Sequence, residues 1–120
     1  MIEDYVADAS EMDELEFEWG SVGWLVNGEM AEDATLTVGV MTLKPGERAG
    51  EHFHPDEEEV LLVLEGECDH TLGDEITHLK PGMMIRCPVD VPHYAVNTGD
   101  VPMRALVIFP TPNRTTTPVE

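Results

Sequence analysis

The sequence predicts an all-β fold, a small barrel or sandwich built from many short strands. Two observations lead to this prediction. Short segments are rich in β-branched residues or alternate apolar with polar residues, and Gly, Pro, Asp or Asn occurs at nearly every junction between them. At 120 residues the chain fits one domain with one hydrophobic core. Almost no segment has the periodicity of a helix. In a barrel or sandwich, side chains that point inward from separate strands should converge on a closed interior.

The N-terminal third begins with an acidic segment. Residues 1–14 are dense in acidic charge and contain few large apolar side chains, so we expect a loosely held arm with at most one helical turn. From Leu15 to Trp19 apolar and acidic residues alternate, which predicts a half-buried strand. Gly20-Ser21 then predicts a turn.

The central and C-terminal parts continue this pattern. The other segments predicted as strands are Val22–Val26, Thr35–Leu43, His52–His54, Val60–Leu64, Glu67–Leu72, Ile76–Leu79, Met83–Cys87, His93–Asn97 and Arg104–Phe109. We therefore assign residues 15–110 to the barrel domain. Residues 111–120, rich in threonine and proline, are expected to form an extended tail on the surface or across a partner subunit.

Two histidines and a glutamate between two predicted turns have the spacing of metal ligands. His52 and His54 are two residues apart, so in a strand both imidazoles point the same way and can reach one ion. Glu59 follows five residues later, and imidazole with carboxylate is a ligand set for divalent first-row transition metals. Taken alone, the histidine pair could equally be two exposed polar positions on an edge strand.

A second segment supplies a third histidine and makes a family resemblance specific. Residues 46–66 follow the pattern G-x5-H-x-H-x4-E-x6-G, and residues 82–97 follow G-x5-P-x-D-x2-H-x3-N. In order and spacing they resemble the paired motifs of the cupin superfamily. One position departs from that family, since Asp90 stands where a glycine is usual, in a turn. Asp tolerates a left-handed backbone better than most residues, so we expect the turn to persist.

The resemblance implies a cupin barrel, a double-stranded β-helix similar to a jelly roll, with one bound metal. Carried over by position, its ligands are His52, His54, Glu59 and His93. The ion could be Fe, Mn, Ni, Co or Zn, and this ligand set leaves one or two coordination positions open for water, substrate or dioxygen. Cupins commonly dimerise, so the resemblance also implies a homodimer.

Three functions are consistent with an open metal site. The first hypothesis is a metal-dependent dioxygenase that acts on a small anionic or enediol-like molecule. The second is a redox-neutral isomerase, decarboxylase or lyase in which the metal polarises a carbonyl or carboxylate. The third is a non-catalytic cupin that binds a small ligand. Fold does not decide among them.

Several other residues are weaker candidates. Glu58 could replace Glu59 as a ligand, but the six-residue gap before Gly66 favours Glu59. His70 and His78 lie outside both motifs, and we expect them at the surface. Asn97 is expected to support a turn through hydrogen bonds. The side chains that could line a pocket or simply form core are Trp24, Met41, Met83, Met84 and Phe109, and those that could bind a substrate carboxylate or pair with neighbouring carboxylates are Arg48 and Arg86.

The charge is the second strong property of the sequence. It has 25 acidic residues against 6 basic ones and a formal net charge of −19. At molar salt the screening length falls to about 3 Å, which makes such self-repulsion tolerable, so we expect a source with a salt-rich cytoplasm, such as a halophilic archaeon. Nucleic acids and anionic membranes are disfavoured as partners, because clustered Lys and Arg are absent.

The two cysteines and the N-terminus bear on the cellular compartment. Cys68 and Cys87 are too few for a disulfide framework, so a reducing compartment is expected, although the sequence leaves open whether they pair. The first residues have neither the basic nor the apolar region of a secretory signal, and no apolar run is long enough to span a bilayer. We therefore expect a cytoplasmic protein.

Overall fold

The computed structural model describes residues 1–119, which fold into eleven β-strands and two short 3-10 helices. The helices are Ile2–Tyr5 and Ala9–Glu11. The strands are β1 Glu14–Phe17, β2 Gly20–Val26, β3 Thr37–Leu43, β4 His52–Phe53, β5 Glu59–Glu65, β6 Cys68–Leu72, β7 Glu75–Leu79, β8 Met84–Cys87, β9 His93–Val96, β10 Met103–Phe109 and β11 Thr117–Pro118. None of the helices within residues 1–119 is long and apolar enough to cross a bilayer.

The strands form two antiparallel sheets, which confirms the predicted all-β fold. One sheet has six strands in the order β1-β2-β3-β10-β5-β8, and the other has five in the order β11-β4-β9-β6-β7. Neighbours along the chain often lie in different sheets, as β4 and β5 do. Side chains that point inward from both sheets therefore meet in one interior.

The hydrophobic core follows from strict alternation along the central strands. On β10 every second residue is buried, beginning at Met103 and ending at Phe109. The buried apolar side chains of the cluster are Leu43, Leu61, Val63, Cys68, Leu79, Ala95, Met103, Ala105, Val107 and Phe109. Cys68 and Cys87 are both buried and free, so the structure contains no disulfide between them.

Two turns hold the backbone in conformations that few residues adopt. Gly66 has φ of 73°, and a Cβ atom there would lie 2.6 Å from the carbonyl oxygen of Pro102, so only glycine fits. Asp90 has φ of 68°, which confirms that aspartate takes the left-handed position where the family usually has glycine. Its N–H donates to the carbonyl oxygen of His54 at 3.0 Å, which joins the turn of the second motif to the loop of the first.

Asn97 closes the loop between β9 and β10, as the sequence predicted. Its side-chain amide donates to the carbonyl oxygens of Leu43 and Val101 at 3.0 and 2.9 Å, and its Oδ1 accepts from Gly99 N–H. The residue is only 1% exposed. These bonds give partners to backbone groups at the end of β3 and in the loop that follows β9.

The first hairpin differs from its predicted position. Strand β1 ends at Phe17, and the turn is made by Glu18 and Trp19, whereas the sequence predicted a strand through Trp19 and a turn at Gly20-Ser21. Gly20 instead begins β2 opposite Leu43. A Cβ atom at this glycine would lie 1.8 Å from the carbonyl oxygen of Thr42, so the glycine serves close strand packing and not a turn.

The C-terminal segment contributes a strand to the sheet that contains the histidines. Strand β11 pairs antiparallel with β4, with Thr117 opposite Phe53 and Pro118 opposite His52. The N–H of Val119 continues this ladder by donating to the carbonyl oxygen of Glu51 at 2.9 Å. Residues 117–119 are therefore extended, and they lie directly beside the first histidine of the motif.

Candidate metal centre

Three strands bring the four predicted ligands to one place in the interior. His52 lies on β4 directly opposite His93, the first residue of β9. His54 follows β4 on the same face as His52, because side chains two residues apart in extended chain point the same way. Glu59 begins β5 in the opposite sheet and points inward with the alternation of that strand.

The ligand atoms of these residues form one compact cluster. One nitrogen or oxygen from each of His52, His54, Glu59 and His93 lies within 4.8 Å of the others. The imidazole rings contact one another with centroid separations of 4.5 to 5.1 Å. All but His52 are buried, and His52 is half-buried.

Hydrogen bonds to the backbone orient all three imidazoles in the same sense. A carbonyl oxygen can only accept, so each Nδ1 that contacts one must be protonated, and each Nε2 faces the cluster. The accepting carbonyls for His52, His54 and His93 belong to Gly50, Thr115 and Val91, at 2.8, 2.6 and 2.9 Å. Backbone carbonyls of this kind commonly fix the rings of metal-binding histidines.

The carboxylate of Glu59 completes the donor set. Its Oε1 lies 3.1 Å from Nε2 of His54 and 2.9 Å from Nε2 of His93. Three inward-facing imidazole nitrogens and one buried carboxylate fit a single divalent transition-metal ion.

Electrostatics in the metal-free protein favour a charged pair between Glu59 and His93. Burial by itself would raise the pKa of Glu59, but hydrogen bonds from His54 and His93 lower it to about 2. Burial by itself would lower the pKa of His93, but its contacts with Cys87 and Glu59 raise it to about 10. Burial lowers the pKa of His52, which keeps that imidazole neutral and able to bind a metal at pH 7.

Metal affinity is therefore expected to rise with pH. Because the pKa of His93 is about 10, its Nε2 is protonated at neutral pH and a metal must displace that proton, whereas Glu59 stays ionised above about pH 4. The association constant for Zn²⁺ should increase about tenfold per pH unit between roughly pH 7 and 9 and level off towards pH 10. Calorimetry in buffers of different ionisation enthalpy should detect the released proton. A constant affinity and no proton release over this range would contradict the prediction.

The C-terminal tail is attached to the metal-binding loop through a buried glutamate. Glu57 is only 4% exposed, and its carboxylate accepts from the N–H of Thr115 and, at 3.1 Å, from its hydroxyl group. The carbonyl of the same threonine accepts from Nδ1 of His54. Thr115 therefore connects Glu57 to a predicted ligand, and the tail forms part of the wall of the site.

A cavity of about 440 Å³ leads from the protein surface to the cluster. His52, His54 and Glu59 lie on its wall, and most of the rest of the wall is apolar. The apolar side chains are Leu15, Phe17, Trp19, Val22, Trp24, Met41, Ala49, Val107, Phe109 and Pro118. Of the predicted pocket residues, Trp24, Met41 and Phe109 therefore line this cavity, whereas Met83 and Met84 are about half exposed on and beside β8.

The structure distinguishes among the other acidic and histidine candidates. Glu58 points outward and pairs with Arg86 at 3.0 Å, so its carboxylate is separate from the cluster. His78 is exposed and contacts Asp69 at 2.6 Å, as predicted. The prediction for His70 is wrong. It is 2% exposed and its ring stacks on that of His93 at 5.9 Å, because position 70 falls on the inward face of β6.

The two arginines considered from the sequence lie away from the cavity wall. Arg86 is paired with Glu58 on the outer surface. The guanidinium of Arg48 lies 4.2 Å from the ring centroid of Tyr94. Neither lines the cavity, whereas Arg114, which the sequence analysis did not single out, does.

Sequence reasoning also missed Glu57 and Thr115. A local signal existed for Glu57, because it is two residues from Glu59 and alternation places both on the same side. Of this run of three glutamates, the sequence analysis considered only Glu58 and Glu59. Thr115 had no local signal, since its partners lie 58 and 61 positions earlier in the chain.

Comparisons with known proteins agree with the fold and the motifs. The family model described as a cupin domain matches residues 39–109. The chain is 38% identical over 85 residues to protein SchB of Streptomyces halstedii, a match that covers 71% of this chain and 62% of that protein. It is also 36% identical over 63 residues to polyketide synthase CurC of Streptomyces cyaneus, covering 52% and 41% respectively. These matches span less than two thirds of the length of either relative.

Solved structures share the fold at low sequence identity. Oxalate decarboxylase of Lactobacillus farciminis, as a formate complex, superposes with a TM-score of 0.84 and 22% identity, covering 92% of this chain and 34% of that one. Oxalate decarboxylase of Bacillus subtilis at pH 4.6 gives the same TM-score and identity, with 30% of its chain covered. The present chain thus corresponds to about one third of each decarboxylase.

Proposed function

Because the chain belongs to the family of cupin domain proteins, we propose that it is a metal-dependent enzyme, a dioxygenase, that acts on a small organic molecule. The proposal starts from the four residues that the structure brings together, and it assigns them as the ligands of one divalent ion.

One observation supports a reactive role above all others: the donor cluster lies at the inner end of a mostly apolar cavity. A structural site is normally closed by its protein ligands, whereas this one has room beside it for a molecule of substrate size. When bound, the ion would supply a Lewis acid and, for a redox-active metal, electrons for dioxygen. The apolar walls would exclude water and hold the carbon skeleton of the substrate.

The composition of the wall favours the dioxygenase over redox-neutral chemistry. Isomerisation and elimination need side chains that take up and return protons. Apart from the three ligands on the wall, the polar and charged side chains lining the cavity are Glu51, Arg114 and Thr116. The wall is thus better suited to enclosing an apolar substrate and dioxygen than to moving protons between atoms.

Glu51 supports a second candidate, a redox-neutral lyase or isomerase. Within residues 1–119, it is the one acidic residue besides Glu59 that lines the cavity, and a carboxylate can transfer a proton. The name of the Streptomyces cyaneus relative, a polyketide synthase, supports a substrate with several keto or enol oxygens for either reaction.

Oxygen uptake under controlled metal loading tests the proposal. Protein purified in high salt without chelator should contain close to one equivalent of a transition metal by elemental analysis. Loaded with Fe²⁺ or Mn²⁺, it should consume oxygen with members of a panel of 1,2-enediols and 1,3-diketones, and the His93→Ala variant should not. Turnover that proceeds without oxygen and is lost in Glu51→Gln would favour the redox-neutral lyase or isomerase. Tight binding of a panel member without turnover would favour the non-catalytic alternative. Protein that binds no transition metal would overturn the assignment.

The homodimer, the cytoplasmic location and the salt-rich source stay predictions. The net charge of −19 supports the last of these, and all three concern the setting of the site and not its chemistry.

A further inference from the structure

A single arginine from the C-terminal tail lies on the wall of the cavity. The central guanidinium carbon of Arg114 is 4.4 Å from the ring centroid of Trp24 and 5.7 Å from that of Phe109. Its Nη1 donates to the hydroxyl of Thr116 at 2.7 Å. Phe109 in turn contacts the ring of His54 at 5.0 Å, so the guanidinium is one ring away from a predicted metal ligand.

The aromatic surface under this guanidinium is held in place by strand packing. Trp24 lies on β2 opposite Gly39 on β3, and a Cβ atom at that glycine would be 2.5 Å from a carbon of the indole. The absent side chain allows the indole to lie flat against β3. The ring therefore provides a fixed surface on which the guanidinium stacks.

Arg114 differs from Arg86 and Arg104 in its electrostatic partners. Arg86 and Arg104 each contact a carboxylate, at 3.0 and 3.9 Å. Within residues 1–119, no carboxylate lies within 4.0 Å of the guanidinium of Arg114, and its hydrogen bond to Thr116 occupies one of five N–H groups. Glu59 and Glu57 interact with this guanidinium only over a longer range, so several of its N–H donors are available to a ligand.

The remaining walls define the shape of that ligand. Phe17 and Trp19 stack in parallel with centroids 4.9 Å apart, and Met41 lies on the same cavity wall. Flat aromatic surfaces favour flat apolar ligands. A net charge of −19 repels anions from the protein as a whole, so an anionic ligand would need a local cation to bind.

We propose that Arg114 is the specificity-determining residue of the cavity and selects a flat aromatic anion, pairing with its carboxylate or phenolate. The inference rests on the proposed function in that it takes the cavity to be the substrate site. Guanidinium and carboxylate match in geometry and form charge-assisted hydrogen bonds. Arg114 thereby positions the substrate, and it takes no part in the chemistry at the metal.

Binding of a matched pair of probes tests the proposal. 2-Naphthoate and 2-naphthamide have nearly the same shape and differ in charge, and both fit the cavity by volume. Metal-free protein should bind the naphthoate at least about tenfold more tightly, measured by tryptophan fluorescence and calorimetry. Arg114→Gln should weaken naphthoate binding about 10- to 100-fold and change naphthamide binding less than about twofold. The affinity of Arg114→Lys for naphthoate should lie between that of the unmodified protein and that of Arg114→Gln.

Arg86→Gln is the matched control, since it makes the same change in net charge on the outer surface. It should leave both affinities unchanged. The proposal is overturned if Arg114→Gln keeps the preference for the anion, if Arg86→Gln loses it equally, or if the unmodified protein binds neither probe.

Repeating the titrations with Zn²⁺-loaded protein separates this inference from the proposed function. A preference for the anion that depends on Arg114 in a protein that binds no metal would support the inference and overturn the enzyme assignment. Metal-dependent turnover with an anion preference that does not depend on Arg114 would support the enzyme assignment and overturn the inference about Arg114.

Discussion

His93→Ala is expected to abolish metal binding while the β fold persists. The substitution removes one of four donors and also leaves the buried carboxylate of Glu59 without its partner at 2.9 Å. Loss of an outer partner alone typically lowers metal affinity by about 10- to 100-fold, so loss of a direct ligand should exceed about 100-fold. Titration with Co²⁺, followed by its visible absorption, and elemental analysis would measure the effect. His52→Ala should act in the same way.

His78→Ala is the matched control for this prediction, because His78 is an exposed histidine on the surface. It should keep full metal content, and far-UV circular dichroism should show the same strand content in all three variants. A fully loaded His93→Ala or His52→Ala protein would show that the metal assignment is wrong.

Truncation after Asn113 is expected to weaken both the fold and the metal site. It removes β11, the carbonyl of Thr115 that accepts from His54, and the donors that satisfy Glu57. Metal affinity should fall about 10- to 100-fold, because the ring of His54 loses the hydrogen bond that orients it. The free energy of unfolding should fall by about 1–3 kcal/mol, since the carboxylate of Glu57 loses charge-assisted hydrogen bonds.

A shorter truncation after Pro118 serves as the control, because it keeps Thr115 and the paired residues of β11. Metal titration together with urea unfolding would compare the two proteins. If the longer truncation binds metal as tightly as the full chain, the tail does not orient the site.

The roles of residues that depend only on their neighbours in the sequence were predictable. The two-residue spacing of His52 and His54 placed both rings on one face, and the number of residues before Gly66 selected Glu59 over Glu58, which points outward to Arg86. The left-handed conformation of Asp90 followed from a turn recognised in the motif. The orientation of the histidine pair and the conformation of the turn are fixed by backbone geometry over a few residues, whereas Glu59 was selected through the resemblance to the cupin motif.

Predictions failed where the outcome depended on how two strands pair. His70 was expected at the surface, yet it is buried on β6 and stacked on His93. The alternation of β6 shows that Cys68 and His70 share a face, and only the pairing of β6 with β9 shows that this face is the interior. The predicted position of the first hairpin was wrong for a related reason, because Gly20 is required by the close approach of Thr42 on β3 and not by a turn.

The sequence by itself determined the all-β class, the two motifs and the common orientation of His52 and His54, and the resemblance of the motifs to those of cupins named the four candidate ligands. Only the tertiary structure decided that the tail is part of the site, placing Thr115 between His54 and Glu57 and Arg114 over Trp24. The physical reason is the range of the interactions. Alternation and turn conformation are settled within a few residues, whereas contacts between residues about 60 to 90 positions apart depend on how the whole barrel packs, and residues 111–120 give no local indication of it.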